Sequence, residues 1–491
     1  MSRAPFVLFL AALTIFRVWY SGLFELSLDE PYYWLWSQHP QLSYYDHPPM
    51  AAWLISIFTA VADSERFVRL AAVLCASGAT WFLYELASDM FNDRRSGLLA
   101  AAFFNVIPLT SLGSVIITPD SPLILFWSGA LFFGYKAIDT QNPLHFYSTG
   151  LFCGLAMLSK YTAVFFAPSF LLFLMSSPEN RHWLFRREPY LGFALSMILF
   201  LPVIYWNSVN DWVSFRFQFA HGFSQDTGGA AMRALEFWGG QIGLFGIFGF
   251  ILVIWAAIGM AKMGIREKRD DFLYISFMTL APMLFFIVNS FKSRMEGNWG
   301  VVAYLAAIAA APGFVKRFAG SFSSVSSGRW IERGLTASLA FMFLLTAYAH
   351  IQVVDPILPM PQKREVSRRV YGWKTLGGEV SKRLAELKGD SFIVTQRYQI
   401  SSLLGYYTPG RPEAFMMTGA GRFGYLGSAE KLLGRNAVYV EETERIELDK
   451  VKKSFKKVEP AGVIRIERHG ELIREFSIFK CYNYKGGLVE T

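Results

Sequence analysis

The sequence predicts an α-helical polytopic membrane protein with a C-terminal extracytoplasmic α/β domain, and three observations carry that prediction. Of 491 residues, 53% are apolar and 17% aromatic, too many for a string of soluble domains. The first 350 residues divide into apolar runs of membrane-spanning length. From residue 352 onward the composition turns charged and mixed, as in a soluble domain. The formal charge of +9 is spread over loops between the runs and over this tail. It therefore speaks for membrane orientation and anionic lipid contact; no basic stripe with interleaved aromatics supports nucleic-acid binding.

Runs of about 16 to 25 apolar residues number about eleven, at 4–24, 66–90, 97–116, 122–138, 146–159, 161–176, 190–206, 237–261, 272–290, 299–315 and 331–350. The N-terminal run lacks a small-x-small cleavage site and reads as a retained first helix. The run 50–62 follows Pro48-Pro49, is too short to span, and reads as an interfacial helix. With a cytoplasmic N-terminus, Arg94-Arg95, Arg181/Arg186/Arg187, Lys262/Arg266/Lys268/Arg269 and Lys316/Arg317/Arg329/Arg333 all fall inside, as the positive-inside rule requires. The opposite, extracytoplasmic face then receives the loop at 25–65, the turn Thr118-Pro119-Asp120, Lys160, the loop 207–236, the segment 291–298 and the tail.

The domains expected are a transmembrane domain at 1–350, including the extracytoplasmic loop at 25–65, and a soluble α/β domain at 351–491. In the latter, 373–387 reads as an amphipathic helix and 391–395 and 437–440 as strands. Runs 463–467 and 473–479 flank His469-Gly470, a hairpin signal. Cys75, Cys153 and Cys481 offer neither a disulfide framework nor a cysteine metal site. Transporters commonly carry repeats and polar midplane residues; here no repeat is found and the polar residues gather at one face, which disfavours a transporter or flippase.

The densest chemistry lies at 27–53, SLDEPYYWLWSQHPQLSYYDHPPMAAW, directly after the first span. Asp29-Glu30 can cap a short helix with Pro31 in its first turn, or can place a general base just outside the membrane. Asp120, in TPDSP, is a second acidic turn at the same face. Asp46 and His221 are candidate ligands for a divalent metal, although closed sites usually show three or four ligands. Lys160, Lys292, Arg294 and Arg216 can each snorkel from a helix end; together they would form a cationic lining suited to a phosphate. The segment FKSRMEGNW at 291–299 is too polar to be a mere spacer. In the tail, Arg397, Tyr398 and Arg422 can bind an acceptor glycan or pack as part of a lid.

These pieces, in order, resemble the GT-C superfamily of membrane glycosyltransferases. The likeness is to the bacterial branch holding the lipopolysaccharide galacturonosyltransferases, the aminoarabinose transferase of lipid A and the protein O-mannosyltransferases. It rests on LSLDEPYYWLWSQHPQLSYYDHPPMAAWLI, ITPDSPLILFW, LSKYTAVFF, FKSRMEGNW, WKTLGGEVSKRLAEL and FIVTQRYQISSLLGYY. The resemblance implies a multi-pass protein of the bacterial inner membrane. It would move a sugar from a polyprenyl-phosphate carrier, at the periplasmic face, to a hydroxyl of lipid A, lipopolysaccharide core or a related envelope glycan, by a single inverting displacement. A protein O-mannosyltransferase-like acceptor is the alternative. Asp29, with Glu30 beside it, would be the catalytic carboxylate and Asp120 a second acid. Lys160 would contact the carrier phosphate with Lys292 and Arg294, and His47 stands where the aminoarabinose transferases carry a lysine. Asp46 and His221 fall where those enzymes hold a divalent metal, and Arg216, Glu296 and Asn298 are left for the acceptor.

Overall fold

The computed structural model describes residues 2–222, 229–321, 325–357, 366–417, 421–427 and 429–487. The chain forms two compact units. The first comprises Met1–Tyr20, His47–Ala51 and Arg69–His350, and the second Ser21–Asp46, Ala52–Val68 and Ile351–Thr491. The loop expected to belong to the membrane domain thus folds largely with the C-terminal tail. The reason is its composition: seven Tyr and Trp rings at 27–53 need apolar cover, and the tail supplies it.

The first unit is helical. Among the described residues six helices are long and apolar enough to cross a membrane: Glu65–Met90, Asp120–Thr140, Arg187–Val209, Ile247–Glu267, Asp270–Ser290 and Gly328–Val354. The pair Gly297–Ala303 and Leu305–Gly320, bent by 58°, makes a seventh if counted as one span. The expected count of about eleven spans, several of them short, is not confirmed among the described residues, and particular runs show why. The run 97–116 breaks at Ile107, because Pro108 lacks an N–H and starts a new helix instead of continuing the old one. The run 237–261 is two helices, Ala230–Phe245 and Ile247–Glu267, parted by Gly246 at φ +70°, a conformation that suits glycine. Leu144–Met157 has 14 residues, about 21 Å at 1.5 Å per residue and short of a hydrocarbon core of about 30 Å.

Small residues let these helices approach. A Cβ on Gly150 would meet the Gly192 carbonyl oxygen at 2.0 Å, and one on Gly192 would meet the Phe146 carbonyl oxygen at 2.4 Å. Leu144–Met157 and Arg187–Val209 therefore cross backbone to backbone, the packing that glycine spacing permits in membranes. The alanine-rich helix Leu305–Gly320 has every residue from Leu305 to Val315 buried. It is the core around which the unit is built.

The second unit carries a five-stranded sheet. Its strands are β1 Ser391–Thr395, β2 Ala414–Met416, β3 Asn436–Glu442, β4 Phe455–Arg468 and β5 Glu471–Tyr484, in the order β2-β1-β3-β5-β4. β1 pairs in parallel with β2 and β3, whereas β5 pairs antiparallel with β3 and β4. The β4–β5 turn is His469-Gly470, both at positive φ, as a two-residue hairpin requires. Helix Trp373–Ala385 packs Trp373, Leu376 and Val380 with Ile393, Val438 and Phe476, while Phe392, Val394, Tyr439 and Cys481 fill the opposite face. The central strands β1 and β3, covered on both faces, read as near-continuous apolar runs, whereas β4 is largely exposed and mixed in composition. The three cysteines are free.

Candidate active site

In the second unit, the short helix Glu30–Gln38 starts from a tight turn. The Ser27 N–H donates to the Glu30 carboxylate at 2.8 Å and the Glu30 N–H to the Ser27 carbonyl at 3.1 Å, closing the turn that leads into the helix. Pro31 sits in the first turn. Glu30 is fully buried, its carboxylate accepting from the Ser27 N–H. The Tyr32 and Tyr33 N–H groups donate to the Asp29 carbonyl, so the backbone at Asp29 is fixed on both sides.

The Asp29 carboxylate itself receives a hydrogen bond from the Tyr398 hydroxyl at 2.9 Å. Asp29 is half-buried, and burial raises its pKa above the usual carboxylate value. The hydrogen bonds from Tyr398 and Gln399 and the charges of Arg369 and Arg422 oppose that rise without cancelling it. Burial, then the Asp29 and Asp46 charges, push the Tyr398 phenol up, so it stays a neutral donor. Helix Tyr398–Tyr407 backs this arrangement: the Leu26 N–H donates to Tyr407 at 2.6 Å, and Trp34 meets Tyr406 edge-on at 4.8 Å.

Asp46 is a second fixed point. One carboxylate oxygen accepts both the Tyr32 hydroxyl and the Arg422 guanidinium, each at 2.7 Å. Arg422 lies 4.5 Å from the Tyr398 ring and 5.2 Å from that of Tyr45, within cation–π range. Tyr32 packs on Trp36 and Tyr398 at 4.6 and 4.7 Å. Burial lowers the Arg422 pKa, but Asp46 and the surrounding tyrosines more than compensate; the guanidinium is a permanent charge.

This set does not fit a divalent metal at Asp46. A cation there would sit on a carboxylate already paired, through one oxygen, with a guanidinium of the same sign. Among the described residues no group of three or more His, Cys, Asp or Glu side chains comes together. His221 ends a described helix, Val213–Gly222, but its side chain lies outside the described residues.

In the first unit, three separate elements bring together Asp120, Lys160 and Asn298. Asp120 opens helix Asp120–Thr140, its N–H bonded to the Thr118 hydroxyl at 3.3 Å. Lys160 occupies the extended residue between Leu144–Met157 and the 3-10 turn Tyr161–Phe165. Its ammonium donates to both Asp120 oxygens, at 2.7 and 2.9 Å. Asn298 donates to the same carboxylate at 2.5 Å, and the neighbouring Gly297 carbonyl accepts from Gln241 at 2.8 Å. Asp120 and Lys160 are both buried. The Lys160 ammonium and the Asn298 amide thus both donate to Asp120. Lys292, Arg294 and Glu296 are exposed on the segment before Asn298, Arg216 is exposed on Val213–Gly222, and His47 is half-buried.

The partners that sequence reading did not connect are Tyr398 with Asp29 and Arg422 with Asp46, 369 and 376 residues apart. The available signal was indirect: an aromatic loop too apolar to stand in water, and a tail holding both residues.

Residues 46–206 match the family described as dolichyl-phosphate-mannose-protein mannosyltransferase. The lipid A galacturonosyltransferase RgtD of Rhizobium johnstonii is 28% identical over 284 residues, 57% of this chain and 59% of that protein. The undecaprenyl phosphate-α-4-amino-4-deoxy-L-arabinose arabinosyl transferase of Pseudomonas savastanoi pv. phaseolicola is 24% identical over 132 residues, 26% of this chain and 25% of that protein. The chain thus spans less than two thirds of the curated relatives it matches. Among solved structures, ArnT from Cupriavidus metallidurans bound to undecaprenyl phosphate superposes with a TM-score of 0.66 at 14% identity, covering 97% of this chain and 98% of that one. The archaeal oligosaccharyltransferase AglB from Archaeoglobus fulgidus gives 0.54 at 11%, covering 88% and 69%. At such identities the likeness carries the fold.

Proposed function

We propose that this chain, which has the fold of the GT-C membrane glycosyltransferases, transfers a sugar from a polyprenyl-phosphate carrier to a hydroxyl of lipid A or lipopolysaccharide core at the periplasmic face of the bacterial inner membrane. The observation that carries the reading is Asp29: a half-buried carboxylate with raised proton affinity, oriented by the Tyr398 hydroxyl. Its likeness to a lipid A galacturonosyltransferase supports the same acceptor class.

The residues suit an inverting displacement. Asp29 takes the proton of the acceptor hydroxyl as that oxygen attacks the anomeric carbon, and the bond from that carbon to the carrier phosphate breaks with the polyprenyl phosphate as leaving group. A raised pKa makes Asp29 a better base than an exposed carboxylate. The phosphate needs fixed positive charge as it departs. Lys292 and Arg294, exposed beside Asn298, are assigned to the carrier phosphate, as is His47; Arg216 and Glu296 are assigned to the acceptor. Asp120, Lys160 and Asn298 form a charged knot that sets the backbone on which that segment stands.

The test is mass spectrometry of lipid A, core oligosaccharide and envelope glycoproteins from cells with the intact gene, without it, and with Asp29→Asn. A sugar missing from lipid A or core in both altered strains is the expected result. A sugar missing only from glycoproteins transfers the acceptor to protein, and unchanged glycans in every fraction overturn the reading.

A further inference from the structure

We propose that Arg422, clamped on Asp46, is the resident cation of the site and binds the carrier phosphate, so that transfer by this protein needs no divalent metal. The inference rests on the transferase reading above and deepens it. Asp46 stands where the resemblance places a metal ligand, yet its carboxylate accepts Arg422 and Tyr32 at 2.7 Å each. The guanidinium is further fixed over the rings of Tyr398 and Tyr45.

Three features suit this group to a phosphate. A guanidinium carries five N–H donors in a planar fork whose geometry matches a phosphate bidentately. It is always charged, and it is hydrated more weakly than an ammonium. It also acts on Asp29: the Arg422 charge is one of the influences that lower the pKa of that carboxylate. The Arg422 guanidinium and the Asp29 base are thereby electrically coupled inside one folded unit. A carboxylate otherwise available to a metal is instead spent on orienting an arginine. Lys160 cannot take this part without giving up Asp120, which holds its ammonium through both oxygens.

The experiment uses the purified full-length protein with undecaprenyl phosphate as the binding probe and a sugar-loaded undecaprenyl phosphate as donor. In wild-type protein, exhaustive chelation followed by assay in metal-free buffer is expected to change the transfer rate by less than about twofold. Arg422→Lys, which keeps the charge but loses the fork, should weaken undecaprenyl phosphate binding by about tenfold and raise the donor KM more than it lowers kcat. Arg422→Ala should weaken binding further and recover on addition of guanidinium ion. Loss of wild-type activity on chelation, restored by zinc, manganese or magnesium, overturns the inference and leaves the transferase reading intact. Wild-type affinity for undecaprenyl phosphate in Arg422→Lys likewise overturns it. Wild-type protein that consumes no sugar-loaded carrier with or without metal overturns the transferase reading itself.

Discussion

The two carboxylate clusters of this molecule are built oppositely. Asp120 is a closed group: both its oxygens take the Lys160 ammonium, Asn298 adds a third bond, and the pair is buried within one helical unit. Asp29 is an open one: a neutral phenol donates to it, burial raises its proton affinity, and the compensating cations act from a distance. The contrast teaches that an acidic residue in a turn beside a membrane can be architecture or chemistry, and that the partner decides which. An ion-paired carboxylate has spent its charge on structure. One held by a tyrosine keeps its basicity for a substrate.

The most severe way to break this contrast is Asp29→Asn. Transfer should fall by about 10³-fold, within the range for loss of a general base, while undecaprenyl phosphate still binds; product mass spectrometry and a carrier-binding assay read the two halves. The same variant should gain stability. The folded pKa of Asp29 lies above its unfolded value, so its contribution to stability is present at low pH and is lost as pH rises through the raised value. Removing the charge abolishes that loss. Thermal unfolding should therefore show Asp29→Asn more stable than the parent near neutral pH and equal to it in acid.

Asp120 should behave in the opposite sense. Asp120→Asn or Lys160→Met leaves one member of a buried pair uncompensated and should cost about 3–5 kcal/mol, with the double variant costing less than the sum of the two. Denaturation of the detergent-solubilised protein checks the order. Equal effects on stability from Asp29→Asn and Asp120→Asn would erase the distinction between the clusters.

A finer test lies in Tyr398→Phe. The Tyr398 hydrogen bond lowers the Asp29 pKa, so its loss should move the acid limb of the pH–rate profile to higher pH while leaving activity at alkaline pH nearly unchanged. A shift to lower pH would mean that Asp29 is not the base being titrated. The smallest effect is expected at Lys292 and Arg294. Each is exposed, and replacement of either alone by Ala should weaken carrier binding by about two- to fivefold, since an exposed charge contact is worth about 1 kcal/mol or less.

The membrane spans were legible where hydropathy and length agreed, as at Glu65–Met90 and Asp270–Ser290. They were not where a single glycine or proline redirected an unbroken apolar run, as at Gly246 and Pro108. Hydropathy cannot register a change of direction. In the tail, the β4–β5 hairpin announced itself through His469-Gly470 between alternating strands. The short helix after Asp29 was equally legible, since Pro31 falls in its first turn. What the sequence could not disclose was pairing across hundreds of residues. Arg422 and Tyr398 carry no local pattern that names Asp46 or Asp29; only the unmet need of an aromatic loop for cover pointed to a partner.

That separation has a consequence for biogenesis. The segments Ser21–Asp46 and Ala52–Val68 leave the ribosome well before the residues that complete their fold, Tyr398, Tyr407 and Arg422, which follow their partners by 369, 381 and 376 residues. A nascent or prematurely terminated chain can insert every apolar helix and still lack an oriented base. The fold thus builds in a delay: Asp29 gains its hydrogen bond only once Tyr398 has been made, and chains stopped between His350 and Tyr398 should insert their apolar helices yet leave that carboxylate unoriented.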